Sequence, residues 1–176
     1  MASISDIIRG DLERTEATYR QTITARREER DPGEFVGELM RHLIAEEIVI
    51  TPVLEARLAE SEDARDRVRK DYKSIKEKLR RLLDFRPDEE SCMSSLRAVW
   101  LDMEPHLQEE AAGELVWLQQ SLTAEESETL SREYNEIKRL VERRCGHAAS
   151  SGDVTRTILE TPPEDLRPFL VDGDNL

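Results

Sequence analysis

Apolar residues return every three or four positions along almost the whole chain, and only a few short polar stretches interrupt them. The first run, Ile4, Ile8, Leu12, Tyr19 and Ile23, is one face of a helix ending near Ala25, with Ser3 and Asp6 placed to cap its start. "DPGE" predicts a second start, with Asp31 as N-cap, Pro32 in the first helical position and Glu34 closing a capping box. The stripe of this second helix is Phe35, Leu39, His42, Leu43, Glu46, Val49 and Val53, and it reaches about Leu58. A third helix opens near Ser61 and repeats Val68, Tyr72, Ile75, Leu79 and Leu82 until "RPDEE" breaks it. The fourth carries Leu96, Trp100, Met103, His106, Leu107, Glu110, Leu115 and Leu118. "TAEE" then sets Thr123 and Glu126 in a capping box for a shorter fifth helix ending at Gly146.

Long amphipathic helices joined by short connections predict an all-α fold, an antiparallel up-down four-helix bundle with a short fifth helix. Residues 1–146 form the bundle in this reading. Residues 147–176 form a C-terminal extension that packs across it rather than a separate domain. Pro52 and Pro105 fall inside helical patterns, so each is expected to kink its helix or to remove a hydrogen bond.

Composition sharpens this picture by exclusion. Aromatic residues make up 5% and charged residues 37% of the 176 positions, which suits helices and starves a sheet. A formal net charge of -13 disfavours nucleic acid and anionic membranes as partners. The basic run "RDRVRKDYKSIKEKLRR" reads as a solvated helix face. Cys92 and Cys145 make no disulfide framework, and no apolar run has membrane-spanning length or the form of a signal peptide. A soluble cytoplasmic protein, monomer or homodimer, is the expectation.

Against this background the apolar stripes contain two anomalies. "HLIAE" places His42 and Glu46, and "HLQEE" places His106 and Glu110, at i and i+4, one helical turn apart on one face. Ionisable groups on a core-facing stripe cost free energy unless something compensates them. Within one helix the carboxylate can accept from the imidazole, and the pair satisfies itself. Two such pairs on separate helices are also how helical bundles build metal sites, and imidazole with carboxylate suits iron, zinc or manganese. Glu47 and Glu109, rotated about 100° from their neighbours, are expected at the surface.

"RHLIAEEIVITPVLEARL", "KDYKSIKEKL" and "LRAVWLDMEPHLQEE", with the tail "TRTILETPPEDLRPFL", resemble the hemerythrin family, in particular its HHE cation-binding branch with a C-terminal extension, of the kind found in fungal proteins. The resemblance implies an antiparallel four-helix bundle whose interior ordinarily holds two non-haem irons, in proteins that bind or sense dioxygen or handle iron. It assigns His42 and Glu46 in the second helix and His106 with Glu110, or Glu109, in the fourth. The histidine expected in the first helix falls on Leu12, and the one expected in the third falls on Tyr72. Two of the expected ligand histidines are thus replaced.

Three readings are open. In the first, His42, Glu46, His106 and Glu110 hold one metal, iron before zinc or manganese, with Tyr72 available as a phenolate ligand, for oxidation or Lewis-acid chemistry on a small molecule or dioxygen. In the second there is no metal. The former site is then a pocket lined by Leu12 and Trp100, in which His42, Glu46, Tyr72 and His106 act as acid–base groups of an isomerase, cyclase or lyase, or simply bind a ligand. In the third the polar cluster is a self-satisfied remnant and the bundle is a non-catalytic interaction module.

Overall fold

The computed structural model describes residues 2–57, 62–146 and 152–172, the side chains of 62–68 excepted. Leu58, Ser61, the Val68 side chain and His147 lie outside what is described. Helix α1 is Ile4–Thr24, and a 3₁₀ turn at Arg27–Glu29 leads on from it. Helix α2 begins as Gly33–Ala45, widens into a π-helical turn at Glu46–Ile50, and continues as Thr51–Arg57. Helix α3 is Glu62–Leu82. Helix α4 repeats the design of α2, with Glu90–Glu109, a π-helical turn at Glu110–Glu114, and Leu115–Ser121. Helix α5 is Ala124–Cys145, and two shorter helices, α6 (Asp153–Glu160) and α7 (Pro163–Asp172), close the described chain.

Two of the expected caps form in full. Ser3 accepts from the Asp6 N–H while Asp6 reaches back to the Ser3 backbone, and Thr123 and Glu126 do the same at the start of α5. At α2 the start is shifted by one residue. Pro32 is the N-cap, and Asp31 accepts from the Gly33 N–H at 2.9 Å, so the expected box with Glu34 does not form. Helix α5 ends where Gly146 adopts φ 79°, a conformation that costs glycine nothing, and its N–H returns to the Glu142 carbonyl.

In the bundle α1 packs on α2 and α4, and α3 packs on α4. The fifth helix is not short. At 22 residues it is as substantial as the bundle helices and lies along α2 and α1, burying Ser131, Tyr134, Ile137 and Val141. Because the sequence places a capping box at one end and a glycine stop at the other, this length was available from the caps alone. Helices α6 and α7 add Ile158, Leu159, Leu166 and Leu170 to the same hydrophobic core, against α3, α5 and the π turn of α2.

The two prolines behave differently. Pro52 has no N–H to offer the Ile48 carbonyl, and its ring would collide with that carbonyl in a regular helix. The turn immediately before it is the widened one, in which the Thr51 N–H bonds back to Glu46. Helix α4 runs through Pro105 without a break. Its own π turn comes later, closed by the Leu115 N–H on the Glu110 carbonyl, and contains Gly113.

Candidate metal centre

Each π turn begins on a glutamate of the two sequence pairs, Glu46 in α2 and Glu110 in α4. In both, the glutamate N–H is shared between two carbonyls of the preceding turn, those of His42 and Leu43 or of His106 and Leu107. The histidine therefore lies one ordinary turn before its glutamate, and the wider turn begins only after the carboxylate. Such π turns recur at functional sites because they re-aim the next turn of side chains without breaking the helix.

The two helices bring all four side chains together. One donor atom from each of His42, Glu46, His106 and Glu110 lies within 4.8 Å of the other three. His42 Nε2 is 3.4 Å from Glu46 Oε2 and 3.4 Å from Glu110 Oε2, and His106 Nε2 is 3.8 Å from Glu46 Oε2. His42, Glu46 and Glu110 are fully buried, and His106 keeps 15% of its side chain exposed. Glu109 faces solvent, so Glu110 is the carboxylate of the α4 pair.

Hydrogen bonding within the chain does not satisfy this cluster. His42 Nε2, His106 Nε2, Glu46 Oε1 and both Glu110 oxygens are buried without a hydrogen-bond partner. Buried polar atoms are nearly always bonded, and here five unbonded ones belong to four residues whose donor atoms lie together. A cation with bonds of about 2.0–2.2 Å holds tetrahedral donors about 3.4 Å apart, which is the spacing from His42 to both carboxylates. Two imidazoles and two carboxylates are a donor set for iron, zinc or manganese. The residues fit a metal ion.

The electrostatics of the cluster follow from its burial. Burial pushes the Glu110 carboxyl up to about 7, with Glu114 and Asp11 adding to it and Glu46 and His106 opposing. Burial and the nearby Glu110 likewise raise Glu46. His42 is lowered by burial, against the pull of Glu46 and Asp11. Burial also lowers His106, but Glu46, Glu110 and Glu114 outweigh it and bring the imidazole to about 9.

Tyr72 belongs to the same place. Its hydroxyl donates to Glu46 Oε2 at 2.8 Å, and its ring meets the His106 ring edge-on with centroids 5.4 Å apart. On the far side stands a group that the sequence reading missed. Tyr134 of α5 is completely buried, and its oxygen lies 3.0 Å from His42 Nδ1 and 3.0 Å from Asp11 Oδ2. Asp11 is in turn held by Lys138 at 2.5 Å and by Arg14. The signal was present, since Asp11 lies three residues after Ile8 on the apolar face of α1.

Leu12 is a core residue, and Trp100 stacks on Tyr19 with rings 4.2 Å apart and 7° from parallel, beside Phe35. The large cavity, about 1340 Å³, is a groove between α2, α3 and the α6–α7 turn. Tyr72 lines it, but His42, His106, Leu12 and Trp100 do not. Glu47 is not a surface group. It forms an ion pair of 2.8 Å with Lys76, their side chains only 8% and 7% exposed, on the wall of this groove. Lys76 is thus an exception to the solvated basic face.

Residues 8–118, more than half of the chain, match the family described as hemerythrin HHE cation binding domain. The chain belongs to the hemerythrin family. A Schizosaccharomyces pombe protein described as an uncharacterized hemerythrin-like protein is 26% identical over 145 residues, covering 80% of this chain and 71% of its own. No solved structure matches. In this hemerythrin-like chain the matched span holds all four members of the cluster, together with Asp11 and Tyr72. Tyr134 and Lys138, on α5, lie outside it. No helix among the described residues is long and apolar enough to cross a membrane.

Proposed function

We propose that this hemerythrin-like protein binds one metal ion per chain, iron in the first place, on His42, Glu46, His106 and Glu110. The observation that carries the reading is the convergence of buried, unbonded donor atoms from two helices. Satisfied His–Glu pairs would need no ion, but His42 Nε2, His106 Nε2, Glu46 Oε1 and both Glu110 oxygens are left without hydrogen-bond partners, and a bound cation would give donors of this kind one. One ion is the expected count because the other buried polar groups nearby, Asp11, Tyr72 and Tyr134, already bond to one another or to the cluster.

An iron ion bound there would supply redox and Lewis-acid chemistry. The chain's own part is to hold and to shield. Glu46 and Glu110 supply two carboxylates, His42 and His106 supply ring nitrogens, and Tyr72 fixes Glu46 by donating to the oxygen that also faces both histidines. Tyr72 both lines the groove and bonds to Glu46, so it links a small molecule or dioxygen lodged there to the cluster. The acid–base pocket has less support, because of its four groups only Tyr72 borders the groove. Free Cys92 and Cys145 agree with a reducing compartment such as the cytoplasm.

Elemental analysis of the purified protein and of protein reconstituted with ferrous iron, zinc or manganese tests the reading. About one equivalent per chain is expected, falling to background in the double substitution His42→Ala with Glu110→Ala. Wild-type protein that holds no metal in either preparation overturns it.

A further inference from the structure

Two hydrogen bonds to Tyr134 determine which ring nitrogen of His42 carries its proton. The Tyr134 oxygen has one hydrogen, and Asp11 Oδ2 receives it at 3.0 Å. Asp11 is an acceptor held from its other oxygen by Lys138 and Arg14. The phenol oxygen can therefore only accept from His42, at 3.0 Å from Nδ1. A neutral His42 in this chain of bonds is the Nδ1–H tautomer, and its Nε2 carries a bare lone pair. That lone pair faces Glu46 Oε2 and Glu110 Oε2, each at 3.4 Å, and has no hydrogen-bond partner.

We infer that Tyr134, anchored on Asp11, is a positioning residue of the metal centre, which fixes His42 as the Nδ1–H tautomer and keeps Nε2 open for a metal ion. The inference rests on the metal reading of the cluster and adds to it a residue from outside the family-matched span. Helix α5 packs along α2 and α1, and of the residues it buries Tyr134 is the largest. The fifth helix is therefore part of the centre. Orienting partners of this kind hold a ligand ring in place and choose its tautomer, and their loss commonly weakens metal affinity by about 10–100-fold.

Tyr134→Phe removes one oxygen and keeps the ring. The Nδ1–H then has no acceptor, and the proton moves to Nε2, where Glu46 and Glu110 can accept it. A metal must displace that proton before it can bind. Two measurements test this. In metal-free protein, nitrogen NMR of the histidine rings should show Nδ1 of His42 protonated in wild type and Nε2 protonated in Tyr134→Phe. In chelator competition with ferrous iron and with zinc, Tyr134→Phe should bind at least about tenfold more weakly than wild type. Lys138→Met, which loosens Asp11 but leaves the phenol, should give a smaller loss of the same sign. It also serves as the test should Tyr134→Phe fail to fold. Unchanged tautomer and unchanged affinity in a folded Tyr134→Phe overturn the inference, as does an Nε2–H tautomer in wild type. If wild type takes up no metal, the metal reading fails, while the NMR measurement still decides the tautomer.

Discussion

The metal-free protein should lose stability as pH rises from about 5 to about 7.5, and Glu110 should account for a separable part of that loss. Glu110 ionises near 4.5 in an unfolded chain but only at about 7 in the fold, where burial opposes its charge. Between these values the folded chain keeps a proton that the unfolded chain has released, so stability falls with pH. The contribution is fully present below about pH 4.5, is lost as pH rises through about 7, and is level beyond. The span from 4.5 to about 7, at about 1.4 kcal/mol per pH unit, amounts to about 3 kcal/mol. For a chain of this size that is about 6–12 °C in Tm. Thermal melts followed by helical circular dichroism, in the presence of a chelator, should show wild type declining across this window. Glu110→Gln, which fills the same space without titrating, should decline less by about that amount. The difference between the two curves reports Glu110 together with its effect on Glu46, whose carboxyl it raises. Bound metal should reverse the sign, because the ionised carboxylate is then the favoured form. Parallel pH profiles for wild type and Glu110→Gln, or a metal-free wild type that gains stability toward neutral pH, would refute the reasoning.

Lys76→Met should cost about 3–5 kcal/mol in urea unfolding because it strands the buried Glu47 charge, whereas Lys76→Met with Glu47→Leu should lie close to wild type; equal losses in single and double variants would count against the pair. Trp100→Leu should lower Tm through the lost stack on Tyr19 yet leave metal stoichiometry at the wild-type value, since the ring belongs to the Tyr19–Phe35 cluster. Thr123→Ala should cost about 1 kcal/mol through loss of the α5 cap, read by chemical denaturation, with Thr123→Ser close to wild type.

The bundle was legible because helices announce themselves twice, once in the period of their apolar face and once in their ends. Ser3–Asp6 and Thr123–Glu126 formed as read, and even the error at Asp31 was a shift of one residue. The two His–Glu pairs were legible for the same reason, since i and i+4 on a helix is a distance, and two core-facing stripes must meet. What periodicity does not contain is which helix supplies the third neighbour. Tyr134 looks like any aromatic on an apolar face until α5 is packed against α2, and only then does its oxygen fall between His42 and Asp11. Glu47 misled for a related reason, because its rotation away from Glu46 points it at Lys76 and the α7 side, where α6 and α7 cover what a bare bundle would leave wet. One signal did lie in the stripe of α4. Leu96, Trp100, Met103, Leu107 and Glu110 follow in steps of three and four, and the next large apolar residue is Leu115, five on, which is the span of the π turn. In α4 that step begins on a buried glutamate where the helix widens, at a donor of the candidate metal centre, whereas in α2 the same widening at Glu46 leaves no such step because Val49 follows three on.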